Sequence, residues 1–142
     1  MIRKALVIND DYTSSLIATK FIDRSGFASE IVTASDGQLG LAFFERGEEG
    51  APDFIFLDLF MPVMNGWEFL EKFSNEYASQ FPNVRIAIIS SYVHPDDEAK
   101  LQQYDLVLDC LTTPMNLEKL AELKQKYSRF ENTRLPPPQY SC

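Results

Sequence analysis

Apolar positions along this chain fall into two alternating rhythms. Short apolar blocks recur at Ala5-Leu6-Val7-Ile8, Glu30-Ile31-Val32-Thr33-Ala34, Phe54-Ile55-Phe56-Leu57, Ile86-Ala87-Ile88-Ile89 and Leu106-Val107-Leu108. Several are apolar throughout rather than alternating, which fits strands of a parallel sheet covered on both faces. The stretches between them carry helical spacing. Ile17, Ala18, Phe21 and Ile22 share one face of a first helix, and Gly26 stands where a left-handed residue closes it. Gly37 to Glu45 reads as a second helix, with Leu39, Leu41, Ala42 and Phe43 apolar. Trp67, Phe69, Leu70 and Phe73 make a third, opened by Asn65-Gly66. Pro95-Asp96-Asp97-Glu98 starts a fourth, with carboxylates at the positive end of its dipole. Asn116 caps a fifth that carries Leu117, Leu120, Leu123 and Tyr127.

Strand and helix alternating in this way predict an α/β domain, a doubly wound (βα)5 sheet with right-handed crossovers. The pattern stops after about Phe130. Residues 1–130 are therefore expected to be the domain, and residues 131–142, with Pro136-Pro137-Pro138, a flexible Pro-rich tail.

Composition narrows the partners. In 142 residues, 21 Asp and Glu against 13 Lys and Arg leave a net charge of −8. Phosphate backbones and anionic membranes are held by Lys and Arg, so neither nucleic acid nor a membrane is expected as a partner. No apolar run approaches the ~18 residues that span a bilayer, and nothing resembles a signal peptide. Cys110 and Cys142 are too few for a disulfide framework and fit a reducing, cytoplasmic setting, with Cys110 a small buried hydrophobe.

In open parallel sheets ligands bind beyond the carboxyl ends of the strands. There the first strand ends in Asn9-Asp10-Asp11, the third in Asp58, the fourth in Ser90-Ser91 and the fifth in Thr112-Thr113-Pro114. Adjacent central strands thus deliver carboxylates to one edge, where they repel unless a cation sits between them. Hard oxygen ligands around a hydrated site suit Mg²⁺, and Ser90 is placed to bond an anion held by that cation.

Leu6-Val7-Ile8-Asn9-Asp10-Asp11, the run from Phe56 through Asp58-Leu59-Phe60-Met61-Pro62-Val63-Met64-Asn65-Gly66, Ile88-Ile89-Ser90-Ser91 and Pro114 together resemble the receiver domain of two-component response regulators. The most specific piece is Asp58 followed by Met61, Pro62, Met64 and Gly66, and the likeness runs from about Ile2 to Tyr127. It implies a flavodoxin-like three-layer sandwich that is a signalling domain rather than an enzyme. Asp58 would accept a phosphoryl group from a sensor histidine kinase or phosphotransfer protein. Mg²⁺ would be held by Asp10, Asp58 and the main-chain carbonyl of Phe60, and Ser90 would contact the phosphoryl group. An unidentified downstream protein would read the changed surface.

Three positions depart from the family pattern. Asn9 replaces an acid and would reach the metal only through water, so Mg²⁺ should bind more weakly. Thr113 replaces a Lys that pairs with the phosphoryl group, giving a hydroxyl in place of a charge. Cys110 stands at an aromatic position associated with signal coupling. Phe60 and Tyr92 fall where side chains govern access of the hydrolytic water, and neither carries a group to orient one, so a long-lived acyl phosphate is expected. The alternative is a degenerate receiver that acts as a phosphorylation-independent interaction module. A phosphohydrolase is disfavoured because Phe60 stands where that chemistry needs an acid. His94, the single histidine, is expected as a solvated loop residue.

Overall fold

The computed structural model describes residues 2–135 together with Tyr140 and Cys142. The strands β1 (Ile2–Ile8), β2 (Ala28–Ala34), β3 (Phe54–Leu57), β4 (Arg85–Ser90) and β5 (Val107–Thr112) alternate with α1 (Tyr12–Ser25), α2 (Gly37–Ala42), α3 (Gly66–Glu76), α4 (Pro95–Leu101) and α5 (Leu117–Thr133). All neighbouring strands pair in parallel, in the order β2-β1-β3-β4-β5. The expected doubly wound, five-stranded α/β fold is therefore the one the chain adopts. Strand order reverses between β1 and β3, which makes their carboxyl ends the switch point where ligands bind in such sheets.

Side chains alternate across the sheet into two apolar layers. Ala5, Val7, Phe54, Phe56, Ala87 and Ile89 meet Ile22 of α1 and Leu120, Leu123, Tyr127 and Phe130 of α5. Leu6, Ile8, Ile55, Leu57, Ile86 and Ile88 meet α2, α3 and α4 through Leu41, Phe69, Phe73 and Leu101. Edge-to-face rings reinforce both layers, Phe27 on Phe54 and Phe56 in one and Phe44 on Phe73 and Phe81 in the other.

Caps set the helix ends much as the sequence suggests. Asp11, Asn65 and Asn116 accept the backbone N–H three residues on, and Asn65 with Glu68 forms a capping box. Gly26 closes α1 at φ 70°. His94 is more than a solvated loop residue, since its Nδ1 accepts the Asp96 N–H (3.1 Å) and caps α4. Among the apolar helix residues singled out in the sequence, Ile17 is 47%, Leu39 51% and Leu117 43% exposed.

Two expectations about the end of the chain need correction. The boundary drawn at residue 130 falls inside α5, which continues to Thr133 and ends at Arg134 in left-handed backbone (φ 58°). Phe130, buried beneath the Arg85 guanidinium (3.9 Å), keeps that last turn on the sheet. Beyond it Tyr140 is buried, its carbonyl accepts from Gln102 Nε2 (2.9 Å), and Cys142 is disulfide-bonded to Cys110. Cys110 is buried as expected but is not a free thiol. A register shift between β4 and β5, Ile86 facing Val107 and Ala87 facing Asp109, turns Cys110 into the same layer as Val107. The Pro136-Pro137-Pro138 run lies outside the described residues.

Gly66 locks this scaffold to the edge of β3. Its N–H donates to the Leu59 carbonyl (2.9 Å), and a Cβ there would stand 2.6 Å from the Asp58 carbonyl oxygen and 2.6 Å from Leu59 Cα. Backbone cannot yield as a side chain can. Gly66→Ala is expected to lower stability by about 1–3 kcal/mol, as overpacking does, read as a lower urea midpoint. An unchanged midpoint would show that α3 can back away from β3.

Candidate functional site

β1 and β3 run in register, Ile8 beside Leu57, so the residues that follow leave the sheet side by side. The ladder extends one step further, with Asp58 N donating to Ile8 O (3.0 Å) and Asn9 N to Ala34 O (3.0 Å). Asp58 is thus held by its backbone while its side chain enters the crevice. The carboxyl is half-buried, and desolvation pushes its pKa above the ordinary carboxylate value. The Phe60 N–H, 3.3 Å from Oδ1, opposes that shift, and the like charge of Asp10 adds to it.

The neighbouring strands complete the crevice. Asn9, Asp58, Ser90 and Thr113 line one cavity of about 420 Å³, closed on its apolar side by Ile17, Ile89 and Met115. Ser90 is buried, and its hydroxyl donates to the Tyr92 carbonyl (3.1 Å). Thr113 N donates to the Ser90 carbonyl (2.9 Å), and the Thr113–Pro114 peptide is cis. Asp10 acts on Asp58 through its charge but does not line the cavity. Phe60, two residues after Asp58, and Tyr92, two after Ser90, are 58% and 65% exposed and do not line the cavity.

Several local details escape a reading of sequence. Lys119 on α5 reaches back to this loop, but its Nζ donates to the carbonyls of Thr112 (2.6 Å) and Pro114 (3.0 Å). Asn9 Oδ1 accepts the Asp11 N–H (2.9 Å), and Asp11 in turn caps α1 through Ser14 N and Oγ. Val63, a β-branched residue, has φ 68° at the centre of a three-residue turn closed by Met64 N on Pro62 O (2.8 Å). Such backbone costs on the order of 1–3 kcal/mol and clusters at functional loops. Lys119 has a signal in the chain, helix position N3 behind a capping Asn116; the strain at Val63 has none.

The donor set suits a hard divalent cation. A desolvated carboxylate beside a second negative charge is stabilised by one, and no group of three or more His, Cys, Asp or Glu side chains converges among the described residues. Mg²⁺ fits such a place, because it is commonly bound through one or two carboxylates and keeps several waters. No described helix is long and apolar enough to cross a membrane.

Over residues 5–125 the chain matches the family model described as the response regulator receiver domain. It is 27% identical over 133 residues to hybrid signal transduction histidine kinase L of Dictyostelium discoideum, spanning 93% of this chain but 8% of that protein. It is 25% identical over 128 residues to a probable C4-dicarboxylate response regulator of Bacillus subtilis, covering 90% of this chain and 53% of the relative. The chain therefore spans about half, or far less, of these relatives' lengths. Among solved structures it resembles a two-component response regulator from Cytophaga hutchinsonii, with a TM-score of 0.82 and 25% identity over 90% of this chain and 98% of that one. It also shares the fold of a chemotaxis protein of Vibrio cholerae, at TM-score 0.72 and 24% identity over 89% of this chain and 99% of the other. The sheet order, the switch-point carboxylate and the match along most of the chain agree: this protein belongs to the response regulator receiver domain family.

Proposed function

We propose that Asp58 is a phosphoacceptor, loaded from the phosphohistidine of a sensor histidine kinase or phosphotransfer protein, and that the loaded domain signals through contact with a downstream protein. The observation that carries this reading is the half-buried Asp58 carboxylate at the switch point, with the Asp10 charge acting on it. In the transfer a carboxylate oxygen of Asp58 attacks phosphorus while the P–N bond to the imidazole breaks, its electron pair returning to nitrogen. Mg²⁺, when bound, neutralises charge on the transferring group. Asp10, Asp58 and the Phe60 carbonyl would hold it, with Asn9 reaching it through water. The chain's own part is to fix the nucleophile with the Phe60 N–H and to supply hydroxyls.

The Ser90 hydroxyl must leave the Tyr92 carbonyl to donate to a phosphoryl oxygen, and Thr113, which lines the same cavity, offers a second hydroxyl. A phosphoryl group adds about −1.5 to −2 charges, so this exchange of partners couples the modification to the β4–α4 loop. The readout would lie over α4, β5 and α5, in a cytoplasmic setting. Phe60 and Tyr92 bring no carboxylate or amide to orient a hydrolytic water.

Full-length protein incubated with Mg²⁺ and acetyl phosphate should gain the mass of one phosphoryl group, and Asp58→Asn should abolish the gain. Absence of labelling in the unaltered protein would overturn the phosphoacceptor reading in favour of a phosphorylation-independent module. Asn9→Asp with Thr113→Lys should raise the labelling rate by about tenfold, the worth of exchanging a neutral for a charge-assisted contact.

The raised pKa of Asp58 has a sign that stability measurements can check. A carboxyl that holds its proton more tightly when folded supports the fold at low pH and opposes it once ionised. Relative to Asp58→Asn, the unaltered protein should therefore lose thermal stability as pH rises from about 4, the gap levelling off above the raised pKa. Millimolar Mg²⁺ should narrow the gap by favouring the ionised form. A pH-independent gap would mean that Asp58 is solvated like an ordinary surface carboxyl.

The acyl phosphate should persist for minutes or longer, and Phe60→Asn or Tyr92→Glu should shorten it. Decay within seconds in the unaltered protein would refute the role given to these two side chains.

A further inference from the structure

We propose that Cys110 and Cys142 form a thiol–disulfide exchange site at which a dithiol reductant frees Tyr140 from its seat beside α4 and β5. The bond joins residues 32 apart in sequence with Cα atoms 5.0 Å apart. Its two ends differ in access: Cys110 on the edge strand β5 is 4% exposed, whereas Cys142 is only partly buried. Cys142 is therefore the end of the bond that an incoming thiolate would attack. Attack there forms a mixed disulfide and expels the Cys110 sulfur, which takes up a proton. The second thiol of the reductant then attacks its own sulfur in the mixed disulfide and releases Cys142 as a thiol. Two electrons pass to the protein, and the reductant leaves as a disulfide.

The seat of Tyr140 favours release once the bond is gone. The ring is 8% exposed in the apolar layer that holds Leu101, Val107 and Cys110. Its hydroxyl oxygen is buried there with no hydrogen-bond partner among the described residues. Burial pushes the phenol pKa up, and the charges of Asp109 and Glu98 push it the same way. A desolvated, unpartnered hydroxyl opposes the placement, so ring burial and the Gln102–Tyr140 hydrogen bond act against a standing penalty that the disulfide overrides. Gln102 is the C-cap of α4, a helix of seven residues, so the anchor ends on the element it would free. Lys100 of α4 also lies 4.3 Å over the ring of Trp67, the chain's single tryptophan, which makes Trp67 a reporter of α4. Disulfides in reducing compartments are mostly transient and redox-sensing, which suits an exchange site in the cytoplasmic setting proposed above. The effect of release on signalling rests on the receiver reading; the exchange itself does not.

The test compares full-length protein treated with oxidised glutathione or with dithiothreitol, quenched by thiol alkylation. Oxidised protein should show no alkylatable thiol and reduced protein two. Reduction should raise amide hydrogen exchange over residues 101–112 severalfold and shift Trp67 emission. Cys142→Ser should match the reduced state even under oxidant. Tyr140→Phe keeps the ring and removes the orphaned hydroxyl, so it should slow reduction severalfold. Two free thiols persisting under oxidant would overturn the proposal. So would identical exchange in the oxidised, reduced and Cys142→Ser proteins, which would make the bond a passive staple. Reduction of Tyr140→Phe at an unchanged or faster rate would overturn the role of the hydroxyl. Acetyl phosphate labelling of Asp58 on the same samples separates the two readings: redox opening without labelling removes the receiver reading alone, and labelling without redox opening removes this one alone.

Discussion

The rest of the site depends on the partial desolvation of one carboxylate. Every residue of β3 is buried, Phe54, Ile55 and Leu57 completely, because the strand lies at the centre of a sheet covered on both faces. A carboxyl placed on the end of such a strand cannot be fully hydrated. Asp58 is accordingly biased towards its protonated form, whereas the phosphoacceptor role proposed for it needs the ionised one. Asp10 deepens that conflict rather than relieving it. A bound cation would relieve it, and metal binding and ionisation of Asp58 would then be linked, each favouring the other. The Phe60 N–H fixes the carboxyl's orientation, and the close approach of Gly66 fixes the backbone that carries it.

Phe60, Val63 and Tyr92 are among the most exposed large apolar side chains of the chain, and they stand on the loops after β3 and β4. The left-handed backbone at Val63 keeps its side chain outward at a cost in strain. On the proposed reading these side chains bring no group to orient a hydrolytic water, and together they would offer a partner an apolar surface that gains by being covered.

Much of this was legible in the chain. Short apolar runs, several of them continuous, located the strands, and the residues just beyond them located the crevice, because strand direction and switch point follow from connectivity. Asn65, Gly66, Asn116 and Gly26 declared their roles by local stereochemistry. What stayed hidden depends on contacts distant in sequence. The buried Asp109, paired with Lys126 (2.8 Å) and accepting the Cys110 N–H, needs the shifted register of β5 to bring it to α5. That same shift placed Cys110 in the layer where Cys142 meets it, so a pattern of strict alternation could not find the disulfide. Ile17 was misplaced for a related reason: helical spacing says that a residue lies on a face but not where the neighbouring layer stops, and Ile17 sits where α1 passes over the cavity.

Among the described residues no cationic side chain lines the cavity, and two lysines of α5 are engaged elsewhere. Lys119, in the first turn of α5, is tied to the carbonyls of Thr112 and Pro114 and holds the β5–α5 corner together, while Lys126, further along α5, is tied to Asp109 in the middle of β5. A charge added at Asp58 would then be read through hydroxyls and loop geometry rather than through an ion pair. The contact that would respond is Ser90 Oγ on the Tyr92 carbonyl, in the loop that enters α4. At the other end of the same helix Gln102 holds Tyr140 beside the disulfide. A seven-residue helix has few internal hydrogen bonds to resist displacement, and its ends are where it is held. Phosphoryl transfer and thiol exchange would thus act on opposite ends of α4, and each would change how much the other has to displace.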